Sequence, residues 1–165
     1  MKNSILVALA AFLLVSCAST VEKEVSWTDV TVSGEFLFEG PNTLQGQVKT
    51  GVDFFAEKLN VPVENIKSAN ISSAQIRFIP DTLTGTVESV LLQWVSEELE
   101  LVSVATKSPV DAQSGGIQLD VTEEVDILPY LKDASTTTVV DINCNTDLDE
   151  LSAKLDMQVR LTYSE

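Results

Sequence analysis

Residues 155–163 read Leu-Asp-Met-Gln-Val-Arg-Leu-Thr-Tyr, so every second side chain from Leu155 to Tyr163 is apolar. A period of two is typical of a β-strand with one buried face. Residues 136–144 are rich in β-branched side chains and also alternate, and the acidic residues 145–150 between the two segments predict a hairpin loop. The sequence therefore predicts that the chain ends in two antiparallel strands.

Strand patterns continue towards the amino terminus. Alternation predicts strands over residues 21–32, with one change of phase, over 35–39 after a break at Gly34, over a segment from 66 to 80, and over 117–121. About seven or eight short strands separated by turns are typical of an antiparallel sandwich. The fold class is therefore predicted to be mainly β, with the strands arranged as an antiparallel β-sandwich.

One segment has helical rather than strand spacing. Its apolar residues recur at steps of four, four, three and four: Leu44, Val48, Val52, Phe55 and Leu59. This spacing predicts one amphipathic helix over residues 44–59, which ends before Pro62. Gly46 and Gly51 each weaken a helix by about 1 kcal/mol relative to alanine, so this helix is expected to be stabilised by packing on the sheet.

Residues 87–104 leave two interpretations open. Their apolar side chains fit one face of a helix, and they fit equally a hairpin with arms 89–95 and 99–106. The hairpin is favoured because a sheet with one covered face needs further strands. Residues 126–131 predict a single helical turn.

Composition excludes several classes of function. The chain has 165 residues, 25 Asp and Glu against 10 Lys and Arg, a formal net charge of −15, and no histidine. This length fits one domain. The acidic balance argues against nucleic-acid binding, whose footprint is basic. The lack of histidine excludes histidine-dependent nucleophiles, general bases and metal sites. We expect no catalytic centre and no cofactor.

The first residues have the features of an export signal. Lys2 provides a short positive region, residues 5–15 are apolar, and Leu14-Val15-Ser16-Cys17 closes the segment. The apolar run is shorter than the roughly 20 residues that span a bilayer. The last four residues resemble the lipobox of bacterial lipoproteins. In that family the signal peptide is cleaved before the cysteine, here between Ser16 and Cys17, and the cysteine carries lipid.

This resemblance implies the organisation and location of the protein. Residues 1–16 are expected to be removed, 17–26 to form a lipidated polar tether, and 27–165 to form a single β-sandwich domain. Removal of the one cation in the signal, Lys2, changes the net charge from −15 to −16. Ala18 stands where an aspartate would favour inner-membrane retention in the family, so the bacterial outer membrane is the expected location.

The order of elements in the later part of the chain resembles immunoglobulin-like domains of uncharacterised envelope lipoproteins. That order is a strand ending in Arg77-Phe78, the paired segments of 87–106, an extended strand, a turn at Tyr130-Leu131 and a closing hairpin. The resemblance implies an immunoglobulin-like sandwich. It includes no diagnostic motif and transfers no catalytic residue to this chain.

One acidic stretch is a candidate for cation binding. Asp141, Asn143, Asn145 and Asp147 place oxygen ligands at every second position, as at the start of a calcium loop. However, Thr146 stands where an EF-hand has glycine. The same residues also fit the polar face of a strand and its loop. We therefore expect no metal site.

The other candidates each have a simpler structural explanation. Residues 97–100 and 123–126 contain carboxylate pairs of the kind that a hydrolase uses, but an acidic chain provides such pairs on turns by chance. Trp27 and Trp94 could stack on a sugar, yet they also fit a sheet core. Cys144 alternates with apolar residues and is expected to pack as a small apolar side chain.

The favoured expectation is a non-enzymatic, membrane-anchored envelope lipoprotein that acts as a structural or protein-interaction module. Its expected partners are the membrane, through lipid on Cys17, and an envelope protein. The alternative is a lipoprotein that binds a glycan or a small apolar molecule, with no binding residue assigned. A carboxylate-based hydrolase is the third hypothesis.

Overall fold

The computed structural model describes residues 19–49, 51–111 and 116–164. In these ranges the chain forms eight β-strands: β1 (Thr20–Leu37), β2 (Gly40–Gln47), β3 (Ile66–Ile79), β4 (Val87–Val95), β5 (Val102–Lys107), β6 (Ile117–Val121), β7 (Thr137–Cys144) and β8 (Leu148–Ser164). It also forms two short helices, α1 (Val52–Leu59) and α2 (Leu128–Lys132), and 3₁₀ turns at Val63–Asn65 and Asp81–Thr86. No helix within the described ranges has the length and apolar character needed to cross a bilayer.

The strands form one antiparallel sheet that closes into a barrel in the order β1-β2-β7-β4-β5-β6-β3-β8. Strand β8 completes the barrel because it pairs with the full length of β1 on one side and with β3 on the other. Register shifts interrupt both ladders, including one between Trp27 and Val30. Such bulges bend and twist a strand, which allows a single sheet to coil until its edges meet.

The predicted fold class is therefore confirmed as mainly β and antiparallel, but the immunoglobulin-like sandwich is not observed. All eight strands belong to one closed sheet instead of two stacked sheets. Alternation in a sequence shows only which face of each strand is buried, and one buried face is common to sandwiches and barrels. The strand patterns could not distinguish the two architectures.

Most of the individual predicted elements are confirmed, but the predicted closing hairpin is wrong: β7 pairs with β2 and β4, whereas β8 pairs with β1 and β3. The segment between β7 and β8 therefore connects strands that are not neighbours in the sheet, a pairing that local alternation does not reveal. The change of phase predicted within residues 21–32 is the bulge between Trp27 and Val30. Residues 87–104 form the β4–β5 hairpin and not a helix. The alternating segment 117–121 is β6, and the single helical turn predicted at 126–131 is α2.

Aromatic side chains form the centre of the core, where α1 packs on the barrel. Trp27 of β1 lies edge-on to Phe55 of α1, with ring centroids 5.5 Å apart. Trp27 is also edge-on to Trp94 of β4, again at 5.5 Å. All three side chains are fully buried. The prediction that an amphipathic helix packs on the sheet is confirmed by these contacts.

The predicted helix over residues 44–59 is wrong in its first half. Only Val52–Leu59 is helical, whereas residues 40–47 form β2 and pair with β7. Gly46 explains the difference, because a Cβ atom built there would lie 2.0 Å from the carbonyl oxygen of Thr31 in β1. The glycine lets two backbones approach closely and is not a weak position in a helix.

Strand β1 begins within one residue of its predicted start at 21 and extends five residues beyond its predicted end at 32. Residues 20–26, which the resemblance to lipoproteins placed in the polar tether, form the first part of the strand and pair with the end of β8. Gly34, predicted to end the strand, lies within it and pairs with Leu151. Residues 35–37, predicted to open a second strand, complete β1. The result is one continuous strand from Thr20 to the β1–β2 turn.

Candidate functional site

The residues of the lipoprotein prediction, Ser16 and Cys17, lie outside the described residues. Strand β1 begins at Thr20, three positions after Cys17 in the sequence. Thr20 pairs with Ser164, so β1 starts beside the carboxyl end of β8. The end of the barrel that contains Thr20 and Ser164 is therefore the end nearest in sequence to the predicted lipidation position.

The four candidate cation ligands are hydrogen-bonded to different parts of the barrel. Their partners are Thr43 Oγ1 for Asp141, Glu88 Oε2 for Asn143, the Gly85 carbonyl for Asn145, and the Glu39 backbone N–H for Asp147. Within the described ranges, no three Asp, Glu, His or Cys side chains are grouped to hold a metal ion. The alternating acids are explained by strand and loop contacts.

The carboxylate pairs predicted as hydrolase candidates are solvent-exposed. Glu97, Glu98 and Glu100 lie on the segment between β4 and β5. Glu123 and Glu124 lie on the segment between β6 and α2. The two sets of acids therefore lie on separate surface segments. Neither set lines the two clefts that are described below.

Two groups near these acids connect elements of the fold. A carboxylate oxygen of Asp126 accepts hydrogen bonds from the backbone N–H of Ala69 in β3 (2.9 Å) and of Leu128 in α2 (3.0 Å). The hydroxyl of Tyr130 donates to the carbonyl of Glu100 at 2.6 Å. Burial, and then the negative charge of Glu100, raise the pKa of Tyr130 above its ordinary value. Both groups thus serve to hold α2 in place.

The tryptophans are core residues. Trp27 and Trp94 are 1% and 0% exposed, so neither ring offers a face to a sugar. The indole Nε1 of each lacks a hydrogen-bond partner within the described residues, as does Oγ1 of Thr138, the cross-strand neighbour of Trp94. A buried polar atom without a partner costs about 1–3 kcal/mol. The aromatic core is therefore stabilised by packing and not by hydrogen bonding at its indoles.

Cys144 is buried at the end of β7 and is 1% exposed. Burial raises the pKa of the Cys144 thiol, an effect that a hydrogen bond with the Asn42 side chain partly offsets and the charge of Glu88 increases. The nucleophilic form of cysteine is the thiolate, which this environment disfavours. The prediction that Cys144 packs as a small apolar side chain is confirmed.

A crevice of about 390 Å³ lies between the start of α1 and the end of α2. Charged residues of both signs contribute to its lining, namely Lys49, Asp53, Lys132 and Asp133. The pKa of Asp133 is lowered, first by a hydrogen bond from the backbone N–H of Ser135 and then by the Ser135 hydroxyl. Because charges of both signs line it, the crevice is better suited to a polar ligand than to an apolar one.

A second cleft, of about 350 Å³, lies over the β3–β8 ladder. Arg77 and Lys154, which are cross-strand neighbours, line it together with Asp81. Arg77 forms an ion pair with Asp156. This cleft could not be predicted from the sequence, because its two cations come together only through strand pairing.

Two phenylalanines next to the β1–β2 turn are the most exposed large apolar side chains of the described residues. Phe36 is 84% exposed and Phe38 is 56% exposed. We call this pair the aromatic tip. It lies at the end of β1 opposite to Thr20. Exposed aromatic side chains are typical of protein interaction surfaces.

The backbone at Phe36 turns its side chain outward. Val30 and Val32 point into the barrel, so regular alternation would also bury residues 34 and 36. Instead, Phe36 has a positive φ of 53°, and Leu37 takes the inward position at 6% exposure. A positive φ is rare for a bulky side chain and costs about 1–3 kcal/mol. The fold therefore exposes Phe36 at an energetic cost.

The turn that carries the aromatic tip is fixed by side chains. Asn42 accepts a hydrogen bond from the Phe38 backbone N–H at 3.0 Å and donates to the Phe38 carbonyl at 2.7 Å and the Gly40 carbonyl at 2.9 Å. The backbone N–H of Glu39 donates to Asp147 at 2.8 Å. Phe38 is thereby held by hydrogen bonds on both of its backbone polar groups.

Five exposed carboxylates lie on the β1–β2 and β7–β8 segments next to the aromatic tip, and we call them the acidic rim: Glu35, Glu39, Asp147, Asp149 and Glu150. Glu35 and Glu150 are direct cross-strand neighbours, an arrangement that destabilises a sheet. None of the three ion pairs within the described residues involves a rim acid. The sequence signal for this site was available in residues 35–39, where three apolar residues stand between two glutamates.

Comparisons with known proteins do not assign a family. No family model and no curated protein matches the chain. A solved structure from Desmodium yellow mottle tymovirus is similar over 99% of this chain and 96% of its own, with a TM-score of 0.35 and 9% sequence identity. A similarity this weak supports no conclusion about the fold or the function of this chain.

Proposed function

We propose that this protein is a lipid-anchored, non-enzymatic lipoprotein of the bacterial envelope that acts as a protein-interaction module. The anchor is supported by Leu14-Val15-Ser16-Cys17, in which all four positions fit a lipobox. Several acyl chains on one cysteine hold a protein at a membrane more stably than a single chain does. Residues 1–16 would be removed, and Ala18 favours the outer membrane over the inner one.

The course of β1 is the observation that carries the interaction role. The strand begins three positions after Cys17 and continues to the aromatic tip, paired with β8 from Thr20 to Leu37 except at the bulge between Trp27 and Val30. At roughly 3.3 Å per residue, this ladder separates its two ends by up to about 55 Å along the strand. A lipid on Cys17 would leave the aromatic tip directed away from the membrane.

The charge of the chain agrees with this arrangement. A net charge of −16 after loss of Lys2 keeps the barrel from binding an anionic lipid surface or a nucleic acid. The lipid would therefore be the membrane contact, and the protein surface would remain available to a partner in the envelope. No cofactor enters this proposal.

Replacement of Cys17 by serine tests the anchor. In a bacterial host, the full chain should incorporate a labelled fatty acid and sediment with membranes, and Cys17→Ser should lose both properties. Cys144→Ala is the matched control, because it removes the other cysteine, which is buried in the barrel. Equal labelling of the Cys17→Ser and unmodified chains would contradict the proposal.

The binding of a small ligand is a second candidate function, favoured by the crevice between α1 and α2. Its volume of about 390 Å³ is within the range of small-molecule sites. The burial of Trp27 and Trp94 disfavours stacking on a glycan, so the ligand would be small and polar, held by Lys49 and Lys132. Thermal stabilisation by small carboxylates that is lost in Lys49→Ala would support it, and no stabilisation would exclude it.

A further inference from the structure

The aromatic tip has no structural task that explains its exposure. The interior opposite Gly34 is already filled, because a Cβ built at Gly34 would meet the side chains of Leu44 at 2.8 Å and Leu37 at 3.1 Å. Leu37 therefore takes the inward-facing position that regular strand alternation would give to Phe36. Phe36 instead projects into solvent with 84% of its surface exposed. An aromatic side chain in this position is available to a binding partner.

The tip is also arranged in advance for binding. Asn42 holds both backbone polar groups of Phe38, and Asp147 holds the backbone of Glu39. A surface that is already ordered loses less conformational entropy when a partner binds. Rigid aromatic side chains are also the residue type that most often dominates binding energy in interfaces.

The acidic rim determines which partner fits. The five rim acids lie on the segments next to the tip, and Glu35 is the cross-strand partner of Glu150 in the β1–β8 ladder. Repulsion between these acids is relieved when a cation lies between them. Complementary charge around an apolar centre is the usual pattern of a specific protein interface. A basic partner would remove the repulsion and bury the phenylalanines at the same time.

We infer that the aromatic tip and its acidic rim form a docking site for a basic protein segment, rich in lysine or arginine, that carries an apolar side chain to contact Phe36 and Phe38. This inference rests on the proposed interaction function and specifies its partner. An anionic membrane is disfavoured by the five rim acids. A second copy of this chain is disfavoured because it would bring two acidic rims together.

The test uses a fluorescent reporter at the tip. The native tryptophans, Trp27 and Trp94, are buried and emit at short wavelength, so an exposed tryptophan introduced by Phe38→Trp is distinguishable by its long-wavelength emission. The full chain carrying Phe38→Trp is reconstituted into phosphatidylcholine vesicles and titrated with the peptide Lys-Lys-Leu-Lys-Lys-Leu-Lys-Lys. We expect its emission to shift to shorter wavelength, and we expect no shift with the peptide in which glutamate replaces lysine.

Further variants locate the binding site. In the reporter chain, Phe36→Ser should weaken binding of the lysine peptide at least tenfold. Leu101→Ser is the matched control, because Leu101 is 51% exposed and also lies beside an acid, Glu100; it should change affinity by less than twofold. Glu35→Gln combined with Glu150→Gln should weaken binding and reduce its dependence on salt concentration.

Four results would overturn the inference. Absence of a shift with the lysine peptide, or an equal loss of affinity in Phe36→Ser and Leu101→Ser, would show that the tip is not the site. Short-wavelength reporter emission in vesicles without peptide would identify the bilayer as the occupant. A shift that appears when the protein density in the vesicles is raised tenfold would identify a second copy. Failure of the lipid anchor is recognised separately, since it appears as loss of fatty-acid labelling.

Discussion

Replacement of Gly46 by alanine tests how closely β1 and β2 approach each other. A Cβ atom at this position would lie 2.0 Å from the carbonyl oxygen of Thr31 and 3.0 Å from its carbonyl carbon. Real Cβ atoms essentially never come closer than 3.0 Å to another heavy atom. One of the two backbones must therefore move by about 1 Å to accept the methyl group.

The expected cost follows from what holds Thr31 in place. Thr31 pairs with Lys154 in β8, and the adjacent Val32 is 1% exposed in the core. Overpacking costs about 1–3 kcal/mol, and the upper part of that range applies because backbone must move. A loss of about 2–3 kcal/mol lowers the Tm of a domain of this size by about 4–12 °C.

The measurement is thermal unfolding of the full chain followed by circular dichroism. Gln45→Ala is the control, because Gln45 lies on the same strand with an exposed side chain. That control should stay within about 0.5 kcal/mol of the unmodified protein. If Gly46→Ala folds and melts within about 2 °C of the unmodified protein, the close approach of β1 and β2 is not required and the reasoning is wrong.

Three further predictions concern single side chains. Asp126→Ala should lower the free energy of unfolding by about 1–3 kcal/mol in urea titrations, because two backbone N–H groups lose their acceptor, whereas Asp126→Asn keeps an acceptor and should lose less. Burial raises the pKa of the Cys144 thiol in the folded protein. The buried neutral thiol therefore contributes to stability below the ordinary thiol pKa, and this contribution is lost as the pH rises through the raised pKa of the folded state. Urea midpoints between pH 8 and 10 should therefore fall more steeply for the unmodified protein than for Cys144→Ala. Asparagine tolerates the positive φ of position 36, so Phe36→Asn should leave the free energy of unfolding unchanged or raise it by up to about 1 kcal/mol. A loss of more than about 1 kcal/mol would show that Phe36 contributes to folding.

The helix prediction failed because of the spacing of its apolar residues. A step of four places two side chains on the same face of a helix and also on the same face of a strand, since four is a multiple of two. Leu44, Val48 and Val52 are separated by such steps and are therefore compatible with either element. Only the step of three from Val52 to Phe55 requires a helix, and α1 begins at Val52.

The closed barrel could not be predicted because it depends on pairing between distant strands. The alternation of residues 155–163 showed correctly that one face of β8 is buried. It contained no information that β8 has neighbours on both sides, β1 and β3. Among the sequence-predicted candidates, Cys144, Trp27 and Trp94 were correctly interpreted as core residues, because a buried face is a local property of each strand. The Arg77–Lys154 cleft depends on register and was missed.

The exposure of the aromatic tip is not explained by the alternation of buried and exposed residues in β1. Residues 35–39 contain a run of three apolar residues, and a strand of period two can bury only one or two of them on its inner face. Leu37 and Leu44 already occupy the inner space next to Gly34. A polar residue at position 36 would satisfy the fold without an exposed aromatic surface and, if it were asparagine, with less backbone strain. The packing of the barrel therefore does not account for a phenylalanine at this position, which agrees with the proposal that the aromatic tip binds a partner.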